Sequence, residues 1–135
     1  MRKMFLPFIV TIALFMCCRF FLYNPETAVR KFFSSYGFEL SGELEEQVSV
    51  TLPNSLSGVY ESYNRLQAYA GLDLTPYLGK TVKRYTYTVV NFPFETSSPV
   101  RANALVYLGR VIAADIMTVS SDGFMLSPAD PVFYT

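Results

Sequence analysis

From Asn24 onward the apolar residues first recur every three to four positions. Val29, Phe32, Phe33 and Tyr36 share one helical face, and Gly37 stops the run. Asn24 is placed to cap this helix, Pro25 suits its first position and Glu26 lies at the positive end of its dipole, so a first helix over 25–36 is predicted. The period then falls to two. Gln47 to Leu52 alternates strictly, with Val48, Val50 and Leu52 on one face of a half-buried strand that ends at Pro53-Asn54. The acidic stretch before it, Glu39 to Glu46, reads as a solvated loop. Helical spacing returns in Leu56, Val59, Tyr60, Tyr63, Leu66 and Ala70, and Gly71 closes this second helix.

The rest of the chain is β-prone. Lys80 to Asn91 is rich in Thr, Val and Tyr, with Tyr85, Tyr87 and Val89 on one face. Pro99 to Tyr107 and Arg110 to Val119 are joined by Leu108-Gly109, the length of a two-residue hairpin loop. Ser120 to Gly123 is a further turn, and Phe124 to Leu126 a short edge strand. The order α-β-α-β-β-β predicts an α+β domain with two helices on one face of a small antiparallel sheet, preceded by an N-terminal hydrophobic helix. A two-residue loop pairs Tyr107 with Arg110 and, counted outward, sets Ala104 opposite Ala113 and Ala102 opposite Asp115. Asp115 then shares the face of Val100, Ala102, Ala104 and Val106, small and apolar enough to be the core side. Arg101 falls on the opposite side of the pleat. Asp115 is therefore expected to be buried and to need donors, of which Arg84 on the neighbouring strand, a tyrosine hydroxyl or a helix N-terminus are the available kinds.

Arg2 and Lys3 precede an apolar run from Met4 to Cys18; Arg19 interrupts it and Phe20 to Tyr23 resumes it. The basic start and apolar run read as a membrane-targeting segment. Twenty helical residues reach about the 30 Å of a hydrocarbon core, and Arg19 near the outer end can snorkel to the interface. Met16-Cys17-Cys18 is a poor signal-peptidase site. Leu14-Phe15-Met16-Cys17 matches a lipoprotein signal only at Leu and Cys. Residues 1–23 are accordingly read as a signal anchor, with a cleaved signal peptide or lipidation at Cys17 or Cys18 as alternatives. Residues 24–135 are then one extracytoplasmic domain of a single-pass protein of the cell membrane.

Composition narrows the chemistry. From Asn24 the chain carries eight basic and eleven acidic residues, a net of −3 that argues against nucleic acid as a partner. Both cysteines lie in the N-terminal segment and histidine is absent, which removes the usual nucleophile, imidazole base, zinc ligands and disulfide from the domain. No metal site, cofactor or catalytic set is expected. Tyr60, Tyr63, Tyr69, Tyr77, Tyr85 and Tyr87 can line a groove for a peptide or glycan, although a helix stripe over a strand face demands the same residues as packing. Lys80, Lys83 and Arg84 can meet anionic polymers, or be a solvated strand edge. Asp115 with Asp122 is the one carboxylate pair worth naming for hydrolase chemistry. The candidate binding residues are Tyr60, Tyr63, Tyr85, Tyr87, Arg84 and Asp115.

Several stretches carry a family resemblance: Tyr23 to Phe38, Gly71-Leu-Asp-Leu-Thr-Pro-Tyr-Leu-Gly-Lys80, Arg84-Tyr-Thr-Tyr87, Val100-Arg-Ala-Asn103, and Gly109-Arg-Val-Ile112 to Asp115-Ile116. The chain resembles a family of small membrane-anchored extracytoplasmic proteins of Gram-positive bacteria, a domain of unknown function. Leu108 stands where such hairpins usually carry Asn, and Ala113-Ala114 where glycine is expected. The resemblance implies location and fold and no activity. With the anchor and the empty catalytic inventory, the expected function is non-enzymatic: a membrane-tethered domain with a binding or regulatory role toward another envelope protein or a peptide. A small envelope hydrolase using Asp115 and Asp122, or a structural subunit of a membrane complex, are the alternatives.

Overall fold

A computed structural model describes residues 24–120 and 122–134. The expected N-terminal hydrophobic helix lies outside these residues. The described chain forms α1 (Pro25–Ser35), β1 (Leu40–Thr51), α2 (Val59–Gln67), β2 (Thr81–Val89), β3 (Val100–Tyr107), β4 (Arg110–Thr118) and β5 (Met125–Leu126), with short 3-10 turns after α2 and near the C-terminus. The strands make one antiparallel sheet in the order β1-β2-β3-β4-β5.

Helix α1 starts as its sequence dictates: the Asn24 side chain accepts from the Glu26 and Thr27 amides, and Pro25 fills the first position. Its Val29 and Phe33 are fully buried against Tyr85, Tyr87, Ala102, Ala104, Ala114 and Ile116. The alanines of β3 and β4 leave the depth that Phe33 and the two tyrosine rings fill, a burial that contributes about 1.5–3 kcal/mol for a side chain of the size of Phe33.

The second helix lies on the other face. Tyr60 and Tyr63 of α2 pack with Leu52, Leu74, Val82, Leu105, Ile112 and Ala113, whereas the neighbouring strand positions Tyr85 and Ala104 belong to the α1 core. Strand side chains alternate between faces, so the two helices sandwich the sheet rather than share one side of it. The reason is visible in β3, buried on both faces for almost all its length, with Asn103 and Leu105 toward one side and Ala102, Ala104 and Val106 toward the other, so that each face needs a layer. Asn64 fixes the loop after α2, accepting from the Leu74 amide at 2.7 Å and donating to Asp73 at 3.1 Å, which drives Leu74 to zero exposure beneath the helix.

Two further expectations are corrected. Glu39 to Glu46 is largely not a loop, because β1 begins at Leu40; its acidic side chains face solvent while the backbone pairs with β2, as suits an edge strand. The β3–β4 hairpin has Tyr107 opposite Arg110, with positive φ at Leu108 (49°) and Gly109 (76°) as a type I′ turn requires, but its register changes immediately beyond. Val106 faces Val111 and Leu105 faces Ala113, so Ile112 is an extra residue, a β-bulge. The bulge sends both Ile112 and Ala113 to the α2 side and puts Ala104 opposite Ala114, Ala102 opposite Ile116 and Asn103 opposite Asp115. Asp115 therefore belongs to the α2 face, together with Arg101, and not to the alanine face under α1.

Candidate functional site

Helix α2 covers only part of its face of the sheet. Beside it runs a groove of 830 Å³, within the range of about 300–1,000 Å³ usual for ligand sites. All five strands contribute to it, and α2 forms one wall with Tyr60, Tyr63 and Leu66.

The floor is a chain of polar side chains. Tyr63 Oη donates to Asp115 Oδ1 at 3.0 Å, Asn103 Nδ2 donates to Asp115 Oδ2 at 3.0 Å, and Thr86 Oγ1 donates to Asn103 Oδ1 at 2.6 Å. Thr86, Asn103 and Asp115 are buried, Asp115 with 2% of its surface exposed. Adjacent register positions on β2, β3 and β4 bring these three residues into line: Thr86 faces Asn103, and Asn103 faces Asp115. Tyr63 reaches down from α2. Burial pushes the Asp115 carboxyl up to about 6, against the pull of Asn103, Tyr63 and the nearby Arg84. The Tyr63 phenol is raised well above its ordinary range, first by burial and then by Asp115, so it stays a neutral donor.

Ion pairs line the β1 side. Arg84 lies 3.5 Å from Glu46, while Arg101 lies 3.2 Å from Glu45 and also donates to Thr88 Oγ1. Arg84 Nε is buried and has no hydrogen-bond partner among the described residues. The opposite end is apolar: Met117, Val119 and Met125 line it, the last two 62% and 47% exposed, and Val59 at the mouth is 83% exposed. Solvated apolar side chains gathered around one concavity mark a contact surface.

Of the sequence-predicted residues, Tyr60, Tyr63, Arg84 and Asp115 come together here. Tyr85 and Tyr87 do not, because they sit on the opposite face under α1, where the Tyr87 hydroxyl donates to Glu26 at 2.9 Å. Lys80 is at the far end of the sheet against the Tyr107 ring, and the exposed Lys83 points away from Arg84 by strand alternation. Asp122 is exposed in the turn after β4 and does not line the groove, so the proposed carboxylate pair is not assembled. Asn103, Thr86 and Arg101 were missed. Asn103 carried a signal, a lone amide amid the apolar run of β3, which a buried carboxylate on the adjoining strand would explain. Gln67 had none: it is 1% exposed and its Oε1 accepts the Ala114 amide at 2.7 Å, sealing a backbone donor of β4 that no strand reaches.

Both oxygens of Asp115 are thus occupied and shielded, which makes the acid a device for holding α2 to the sheet rather than one presented to a reacting group. Among the described residues no group of three metal-ligating side chains occurs. No curated protein and no solved structure matches the chain. Residues 32–116 match a domain of unknown function, DUF4830, a span that includes Tyr63, Thr86, Arg84, Asn103 and Asp115, and the chain belongs to this family.

Proposed function

We propose that this is a non-enzymatic binding domain, tethered to the cell membrane by residues 1–23 and presented on the extracytoplasmic side, where its groove engages a peptide or protein of the envelope. The observation that carries the reading is the groove itself: a buried, hydrogen-bonded floor of Thr86, Asn103 and Asp115 beneath a rim of exposed Val59, Val119 and Met125. A floor whose polar groups satisfy one another gives shape without reactivity, and the solvated rim supplies the apolar area that association buries. The tether rests on Arg2-Lys3 and the apolar run that follows.

The test is site-specific photocrosslinking in the native cell, with the crosslinker at Val119 in the groove and, as control, at Lys83 on the opposite face. Adducts from position 119 alone, identified by mass spectrometry, are expected. Equal yields from both positions, or none from 119, refute the groove as the binding surface. Fractionation of the same cells checks the tether: full-length chain is expected with the membranes, and its recovery in the soluble cytoplasm refutes that part.

A further inference from the structure

The groove has a polarity that identifies its ligand more closely. Its lining comes from every strand of the sheet, so it crosses four interstrand spacings, about 19 Å, room for five or six extended residues at about 3.3 Å each. At the β1 end lie the guanidinium groups of Arg84 and Arg101, drawn there by Glu46 and Glu45. At the β5 end lie Met117, Val119 and Met125. One end is charged and the other apolar.

Among the described residues, the buried side-chain polar atom left without a partner at the charged end is a donor, Arg84 Nε. Asp115 is 2% exposed with both oxygens taken, so it offers nothing to a ligand cation. Glu45 Oε1 already receives Arg101 and the Thr88 hydroxyl. Arg84, by contrast, has Nε buried without a partner and its ion-pair partner Glu46 at 3.5 Å, longer than a good charge-assisted bond of about 2.7–2.9 Å. Its resting position leaves an N–H unsatisfied. A carboxylate entering the groove that draws the guanidinium off Glu46 would give it two parallel N–H···O bonds, the fork geometry that arginine makes best.

The body of the ligand follows from the walls. Methionines 117 and 125 adapt to side chains of varied shape, which suits apolar residues in an extended chain. Tyr60 and Ser62 add hydroxyls along the α2 wall, which a peptide backbone can engage and a plain alkyl chain cannot. Resting on the binding reading above, we infer that the groove takes the C-terminal end of an apolar peptide, with the terminal carboxylate on Arg84 and the preceding apolar side chains toward Met117, Val119 and Met125.

The experiment measures fluorescence anisotropy of purified full-length chain with an N-terminally labelled pentapeptide, Val-Ala-Leu-Val-Leu, as free acid and as C-terminal amide, with decanoate as competitor. The acid is expected to bind at least about tenfold more tightly than the amide, the factor that ~1.4 kcal/mol of charge-assisted bonding gives. Arg84→Met should bring the acid to the level of the amide, and Val119→Asp should weaken both alike. Should Arg84→Met fail to give the native far-ultraviolet spectrum and melting temperature, Arg84→Lys replaces it, keeping the charge but losing the fork, and should still narrow the ratio of acid to amide. Equal affinities for acid and amide, both weakened by Val119→Asp, overturn the carboxylate assignment and leave the groove as the binding surface. Arg84-dependent binding of decanoate with no binding of either peptide overturns the peptide in favour of an acyl chain. No binding of any probe overturns the inference, while crosslinking from position 119 decides the groove separately.

Discussion

Asp115→Asn should remove a pH dependence that the wild-type domain carries in its core. The Asp115 carboxyl is raised from its ordinary 3.8 to about 6, chiefly by burial, and the group is inaccessible enough that solvent screening does not discount the shift. An acid raised in the folded state binds its proton more tightly there than in the unfolded chain. The stability it contributes is therefore complete below pH ~4 and is lost as pH rises through about 6. At 1.36 kcal/mol per pH unit, a shift of that size amounts to about 3 kcal/mol in full, and to about 2–2.5 kcal/mol between pH 4 and 7, because the unfolded acid is already more than half ionised at pH 4. Asparagine mimics the neutral acid: its oxygen can accept from Asn103 Nδ2, and its amide can donate to Tyr63 Oη once that hydroxyl proton rotates away. Urea unfolding of both proteins from pH 4 to 8 gives the difference in stability at each pH. Taking the difference cancels other carboxylates, such as Asp73, which Thr75 and Asn64 hold below the usual range and which acts with the opposite sign. Wild type minus variant should fall by about 2–2.5 kcal/mol over this interval and level off above pH 7. A difference flat to within about 0.5 kcal/mol, or one that rises with pH, would refute the burial argument.

Asp115→Ala at pH 4 should cost about 1–3 kcal/mol in the same assay, because Tyr63 Oη and Asn103 Nδ2 lose their acceptor, and the cost should shrink toward pH 7 as the wild type bears the ionised acid. Tyr63→Phe should raise the Asp115 pKa beyond about 6, read by carboxyl NMR titration, since one of the bonds favouring the anion is removed. Leu108→Asn should stabilise the domain by about 1 kcal/mol in a thermal melt, since Leu108 is 75% exposed and holds a left-handed φ of 49° that Asn tolerates better. Chelator and reductant should leave the melting temperature of residues 24–135 unchanged, because that span has no Cys or His; a drop of several degrees with either would refute this.

What could be read from the sequence was local. Asn24-Pro25 announces the start of α1, Gly71 takes the left-handed conformation that ends the turn after α2, and the alternation of Val48, Val50 and Leu52 reports a strand because one face of it is buried. These signals need only a few neighbouring residues. The start of β1 was illegible for the converse reason: on an edge strand, pairing is done by backbone and leaves Glu43, Glu45 and Glu46 free to look like a loop. The layer order was half legible. The apolar residues that β3 and β4 carry on both faces, Ala104 and Leu105 or Ala113 and Ala114 in succession, demand cover on each side, yet element order alone placed both helices together.

The candidate site turned on a single residue. Counting outward from the hairpin assumes one residue for one, and Ile112 breaks that count; every side chain of β4 beyond it changes face, and with it the cross-strand neighbour of Asp115. Asp115 is buried as expected and receives the tyrosine hydroxyl anticipated for it, but on the side that counting had assigned to Arg101. The burial expectation rested on the small apolar residues around the acid and survived because both faces of the strand are apolar. The cross-strand neighbour rested on register and changed with it: Asn103, not Ala102, faces Asp115. The correction joins what counting had separated: Asn103, placed by the bulge directly across from Asp115, supplies the second donor, and Arg84 and Arg101, from neighbouring strands, reach the same groove with Tyr60 and Tyr63 above them. A bulge of one residue thereby converts two unrelated polar interruptions, Asn103 in β3 and Asp115 in β4, into the floor of a single site.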